Sequence, residues 1–145
     1  MWRAILALAL LGLFGRPLPV AAQDEGCPDT PEDTASQLAD NLANGQWDLA
    51  YNVLHPDAQV RVPRQVFAAA RQAEAVASPM LDVEVLNANE HPAWTWGVTG
   101  AHFSAVAEVP VRVARGTPLG SLSSVRMMSF VRVGDCWRWL PASLP

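Results

Sequence analysis

The sequence predicts an α+β domain: N-terminal helices packed on one face of a curved antiparallel sheet. Three observations predict it. Apolar residues recur at helical spacing as far as Ser78, and alternate at strand spacing from Leu81 onward. The helical stretches are bounded by capping residues, prolines and an Asn-Gly pair. Glycine-bearing turns then divide the alternating part into a meander.

A leader precedes the domain. Arg3 gives a positive start, and Ala4 to Phe14 is an unbroken apolar run. Gly15-Arg16-Pro17 breaks it, and Val20-Ala21-Ala22 offers small residues for cleavage. That order is the order of a secretory signal peptide over residues 1–22. The run is shorter than the roughly 20 apolar residues a membrane-crossing helix needs. An uncut membrane anchor is the alternative reading. Export to a secreted or periplasmic location, without stable membrane insertion after cleavage, is the expectation.

Residues 23–29 are acidic and irregular, and the domain is expected over 30–145. Thr30-Pro31-Glu32-Asp33 reads as a helix start, with a cap, a proline at the first position and two acids at the dipole's positive end. Ala35, Leu38, Ala39 and Leu42 share a face, and Asn44-Gly45 ends the helix. Trp47, Ala50, Tyr51 and Leu54 form a second, shorter helix that His55-Pro56 closes. Val62-Pro63 opens a third, with Val66, Phe67, Ala70 and Ala73 inward and Ser78-Pro79 at its end.

Leu81 to Asn89 is the first expected strand. Trp94 to Arg115 is the second, with Phe103, Ala105, Ala107, Val109, Val111 and Val113 on one face and His102, Val106 and Glu108 on the other. A turn over Gly116 to Gly120 leads to a strand from Ser121 to Val133. There Val125, Met127, Ser129, Val131 and Val133 are expected inside, and Arg126, Met128, Phe130 and Arg132 outside. Gly134-Asp135 turns into the last strand, Cys136 to Leu140.

Composition excludes several classes. Removal of the leader takes Arg3 and Arg16, which leaves eight arginines against fourteen acids, a net charge of −6. Such a surface argues against nucleic acid as a partner and against adhesion to anionic lipid. The chain has no lysine, so Schiff-base and P-loop lysine chemistry are absent. In an oxidising compartment the two cysteines, Cys27 and Cys136, are expected to pair. No histidine spacing forms a metal site, and no cofactor motif is present.

The order of elements, together with Gly45-Gln46-Trp47-Asp48-Leu49-Ala50-Tyr51, Leu54-His55-Pro56-Asp57, Arg64-Gln65-Val66-Phe67 and Gly134-Asp135-Cys136-Trp137-Arg138-Trp139, resembles the nuclear transport factor 2-like superfamily. The resemblance spans about residues 30 to 140. It implies a cystatin-like cone, the fold also used by ketosteroid isomerase and the polyketide cyclases, and a secreted member of that group. Catalytic members place a tyrosine on the first helices, which Tyr51 matches, and an acid or base on the inner walls. Here the face assigned to the inside lacks the second group.

The leading expectation is therefore a non-catalytic domain that binds a small apolar ligand, or a protein partner, through a cone-shaped pocket. Trp47, Tyr51, Phe67, Phe103, Met127 and Trp139 are its candidate lining, with Tyr51 as the polar contact. These same residues read equally as core. An isomerase, dehydratase or cyclase using Tyr51 with His102 or Glu108 is the enzymatic alternative. Glu108 paired with Arg126 or Arg132 reads otherwise as an outer-face charge pair. A structural or dimerisation module is the third reading, with Val106, Met128, Phe130 and Leu140 as the patch where two copies would meet.

Overall fold

The structure is a computed structural model that describes residues 26–145. The expected signal peptide lies outside the described residues. Helices α1 (Pro31–Ala43), α2 (Trp47–Val53), α3 (Pro56–Arg61) and α4 (Arg64–Ala77) precede strands β1 (Met80–Val85), β2 (Asn89–His91), β3 (Trp94–Thr95), β4 (His102–Phe103), β5 (Val106–Thr117), β6 (Gly120–Val133) and β7 (Cys136–Leu140). The fold is α+β, helices first, then an antiparallel sheet.

The helix starts follow their local chemistry. The Thr30 hydroxyl accepts the Asp33 backbone N–H at 3.1 Å and leaves one fewer orphan donor at the head of α1. Gly45 adopts φ 70° after α1, a left-handed conformation that side chains resist. The sequence reading missed α3. Pro56, taken as the end of α2, also occupies the first position of the next helix. Nδ1 of His55 accepts the Asp57 N–H at 3.2 Å and caps it.

The main sheet runs β1-β5-β6-β7, with β2 beside β5. The expected strand from Trp94 to Arg115 is broken. β3 and β4 form their own small hairpin, Trp94 opposite Phe103, around Gly100 at φ 74°. β5 and β6 pair without a bulge, and Thr117 lies directly opposite Gly120. The loop is therefore the two residues Pro118-Leu119, not the expected Gly116 to Gly120. That sets odd-numbered residues of β5 against even-numbered residues of β6. Val109 faces Met128 and Ala107 faces Phe130.

The faces expected for β6 are accordingly exchanged. Val109, Val111 and Val113 are buried as expected. Their partners on the inner face are Met128, Arg126 and Ser124, while Met127 and Val125 lie opposite Pro110 and Arg112 on the outer face and are exposed. Val106, Phe130 and Leu140 are buried within the chain and Met128 packs against the core, so the patch drawn for a second copy is interior. The exposed apolar side chains on the outer face of β6 are instead Val125, Met127 and Val133.

The core lies between helices and sheet. Trp96, Phe67, Phe130, Leu38, Leu54 and Leu140 are its largest fully buried members. Each such side chain contributes about 1.5–3 kcal/mol by leaving water. Trp96, fully buried, donates its indole N–H to the Pro141 carbonyl at 2.8 Å and fastens the chain beyond β7. Cys27 and Cys136 form a disulfide, Cα atoms 5.2 Å apart.

Candidate functional site

A cleft of about 400 Å³ opens between the helices and the sheet. Leu42 of α1, Arg71 and Glu74 of α4, Met80 of β1, Val113 and Arg115 of β5, Met128 of β6 and Trp139 of β7 border it. A smaller hollow shares Leu42, Arg71, Glu74, Met80 and Arg115, and reaches Trp47 and Ala75. The two form one depression. Its position follows from the parity of the sheet, because Met128 and Trp139 project on the face where Val113 also lies.

One wall is apolar and one is charged. Glu74 sits between two guanidinium groups. Nη1 of Arg71 donates to its Oε2 at 2.6 Å, and Nη2 of Arg115 to its Oε1 at 2.9 Å. Nη1 of Arg115 also donates to the Ser78 carbonyl at 3.0 Å, and the Arg71 guanidinium stands 5.4 Å from the Phe67 ring centre. The Nε–H groups of both arginines are buried and have no acceptor among the described residues. One carboxylate therefore answers two permanent positive charges. Each arginine falls on a helix or strand that the spacing predicts, but nothing in the sequence places 71 beside 115; the pairing of β5 with β1 and the end of α4 does that.

The residues singled out from the sequence fall in three places. Trp47, Met127 and Trp139 border the depression, Met127 from the edge of the outer face. Tyr51 and Phe67 are core residues, packed edge to face at 5.6 Å. The Tyr51 hydroxyl lies 2.9 Å from the Val62 carbonyl and 3.0 Å from that of Gln59, so it ties α2 to the C-terminal end of α3. Those backbone acceptors engage the proton that a ligand contact would need. Phe103 lies elsewhere, 5.5 Å from the His55 ring and 6.5 Å from Trp94.

The proposed acids and bases are likewise dispersed. His102 is exposed and its Nδ1 lies 2.8 Å from the Thr95 hydroxyl. Glu108 pairs with neither Arg126 nor Arg132. It accepts the Trp94 indole N–H at 3.2 Å and meets His91 Nε2 at 2.8 Å. The reason is β2, of which the expected first strand, Leu81 to Asn89, holds only the first residue. It lays Asn89 opposite Glu108 and brings His91 to the same face. Burial pushes the His55 imidazole below its ordinary pKa; the nearby Asp57 carboxylate opposes this and Arg138 reinforces it. No cluster of three or more His, Cys, Asp or Glu side chains suited to a metal occurs among the described residues. No helix there is long and apolar enough to cross a membrane.

No family model matches the sequence, and no curated protein is a match to it. Solved structures do match. One is a SEC-C motif containing protein from Rhodopseudomonas palustris, 16% identical, TM-score 0.57, covering 80% of this chain and 79% of that one. Another is a SEC-C motif containing protein from Psychrobacter arcticus, 13% identical, TM-score 0.59, covering 83% of this chain and 63% of that one. The chain thus spans less than two thirds of the Psychrobacter protein. At these identities the likeness is one of fold. It corrects the resemblance drawn from Trp47, Tyr51, Phe67 and the Trp137-Arg138-Trp139 hairpin. The chain's structural neighbours are SEC-C motif containing proteins and not nuclear transport factor 2-like ones.

Proposed function

We propose that this is an exported, non-catalytic domain that holds one small molecule with a large apolar surface in the cleft between α1, α4 and the sheet. The observation that carries the reading is the cleft itself. Its volume of about 400 Å³ falls within the roughly 300–1,000 Å³ of small-molecule sites, and its apolar wall carries few polar groups. The export part rests on the leader over residues 1–22 and on a disulfide suited to an oxidising compartment. The absence of catalysis is argued from dispersal: Tyr51, His102 and Glu108 each have a separate partner and no common opening.

Native mass spectrometry of the chain beginning at Gln23, purified gently after export, tests this. A bound mass that leaves on activation is expected. Met128→Trp, which fills the cleft, should abolish that mass while the protein stays folded. A bare protein, or a bound mass indifferent to Met128→Trp, overturns the reading.

A further inference from the structure

We infer that the ligand of this cleft is a single-chain amphipathic carboxylate, its anionic head at Arg71 and Arg115 and its chain along Met80, Val113, Met128 and Trp139. The inference rests on the proposal that the cleft is a binding site, and goes on to specify the chemistry.

The charged wall is under-neutralised. Two guanidiniums face one carboxylate, and Arg126 of β6 brings a third to the same border. Arginine keeps its charge at any accessible pH, so the site is cationic on balance. Among the described residues both buried Nε–H donors lack an acceptor, and a buried unpaired donor is costly. An incoming carboxylate supplies two acceptor oxygens, the complement of a guanidinium edge. A neutral hydroxyl head can accept from a donor but brings no charge to offset the guanidiniums, and a cationic head offers no acceptor.

The apolar wall selects the rest of the molecule. Val113 and Trp139 are buried, and Met80 and Met128 are half-buried against the core, next to the arginines. Methionine adapts its shape to a flexible chain. The cleft lies near the small end of the usual range of site volumes, which suits one chain and excludes a two-chain lipid. The net-negative surface of the domain also repels anionic membranes, so the carboxylate is drawn from solution.

Calorimetric titration of the mature protein with dodecanoate, dodecanol and dodecyltrimethylammonium, each below its micellar concentration, tests the inference. Dodecanoate is expected to bind roughly ten-fold or more tightly than dodecanol, as one charge-assisted hydrogen bond implies, with the cation weakest. Arg115→Met should erase the preference for carboxylate. Glu74→Gln should strengthen it, because the competing carboxylate is gone. The opposite signs separate recognition from damage, and the thermal melt of each variant confirms folding. If dodecanol binds as tightly as dodecanoate, the carboxylate inference fails and the cleft reading stands. If none of the three binds and no mass is carried from export, both fail. Tighter binding to phosphatidylglycerol vesicles than to dodecanoate overturns the single-chain assignment.

Discussion

Breaking the Cys27–Cys136 bridge should cost this domain close to half of an ordinary domain's stability. The bridge spans 109 positions of sequence. For a loop of that length the chain-entropy relation gives a constraint on the unfolded state of about 16 cal/mol/K, or about 4.8 kcal/mol at 25 °C. Small domains are stable by about 5–15 kcal/mol in all. With an unfolding entropy of about 2.1 cal/mol/K per residue over about 120 residues, the melting temperature should fall by about 15–20 °C. The assay is urea unfolding of the oxidised protein beside Cys27→Ser/Cys136→Ser, followed by tryptophan fluorescence. Two quantities are read. The midpoint should fall, and the slope against denaturant should rise, because an uncrosslinked unfolded chain exposes more surface. A loss below about 2 kcal/mol with an unchanged slope would refute the reasoning. It would mean that native contacts near the bridge, such as the Trp137 indole N–H on the Asp29 carbonyl, and not the closed loop, carry the effect.

Three further outcomes are expected. Phe67→Ala should destabilise by about 3–5 kcal/mol in chemical unfolding, since the ring is 2% exposed and packs on Tyr51; a loss under 1 kcal/mol would show the site to be open. Tyr51→Phe should cost about 1–2 kcal/mol and leave ligand binding in the cleft unchanged, because the hydroxyl serves the Val62 and Gln59 carbonyls; altered ligand affinity would contradict that placement. His55 should make stability fall on acidification. Its folded pKa lies below the ordinary value of about 6.5, so the unfolded chain binds its proton first, and the stabilisation is complete above that value and lost as pH drops toward the folded one. Melts of the protein and of His55→Gln between pH 8 and 5 check this; equal slopes would remove His55 as the cause.

Much of the helical half was legible, and for local reasons. Thr30, Pro31 and Asn44-Gly45 act on their neighbours alone, and they set α1 where the spacing of Leu38 and Leu42 placed it. Pro56 shows the limit of such signals, since proline both ends one helix and begins another. The sheet was harder. Strand period assigns two faces but not which is inner, and the choice passes from β5 to β6 through the length of one loop. Two glycines, 116 and 120, suggest a five-residue turn; the chain turns in two, and the side chains of β6 exchange parity, although Ser129 and Val131 are buried as expected. Met127 was thereby favoured over Met128, and Phe130 was sent to the surface. The arginine pair of the cleft was invisible for another reason. Arg71 meets Glu74 at i,i+3 within α4, a spacing the chain carries locally, but Arg115 reaches Glu74 only through tertiary contact, and no local spacing encodes that.

The disulfide also gives the domain a mechanical character. Tension applied on either side of the pair Cys27 and Cys136 passes through the sulfur bridge, across a Cα separation of 5.2 Å. The four helices and strands β1 to β6 lie off that load path, and of the sheet only β7, beyond Cys136, lies on it. About 370 Å of contour length, at roughly 3.4 Å per residue, stays shielded. Pulled from outside the bridge, the domain acts as a fixed knot in a rope; cut the bridge, and the same chain becomes a spring that can pay out its full length.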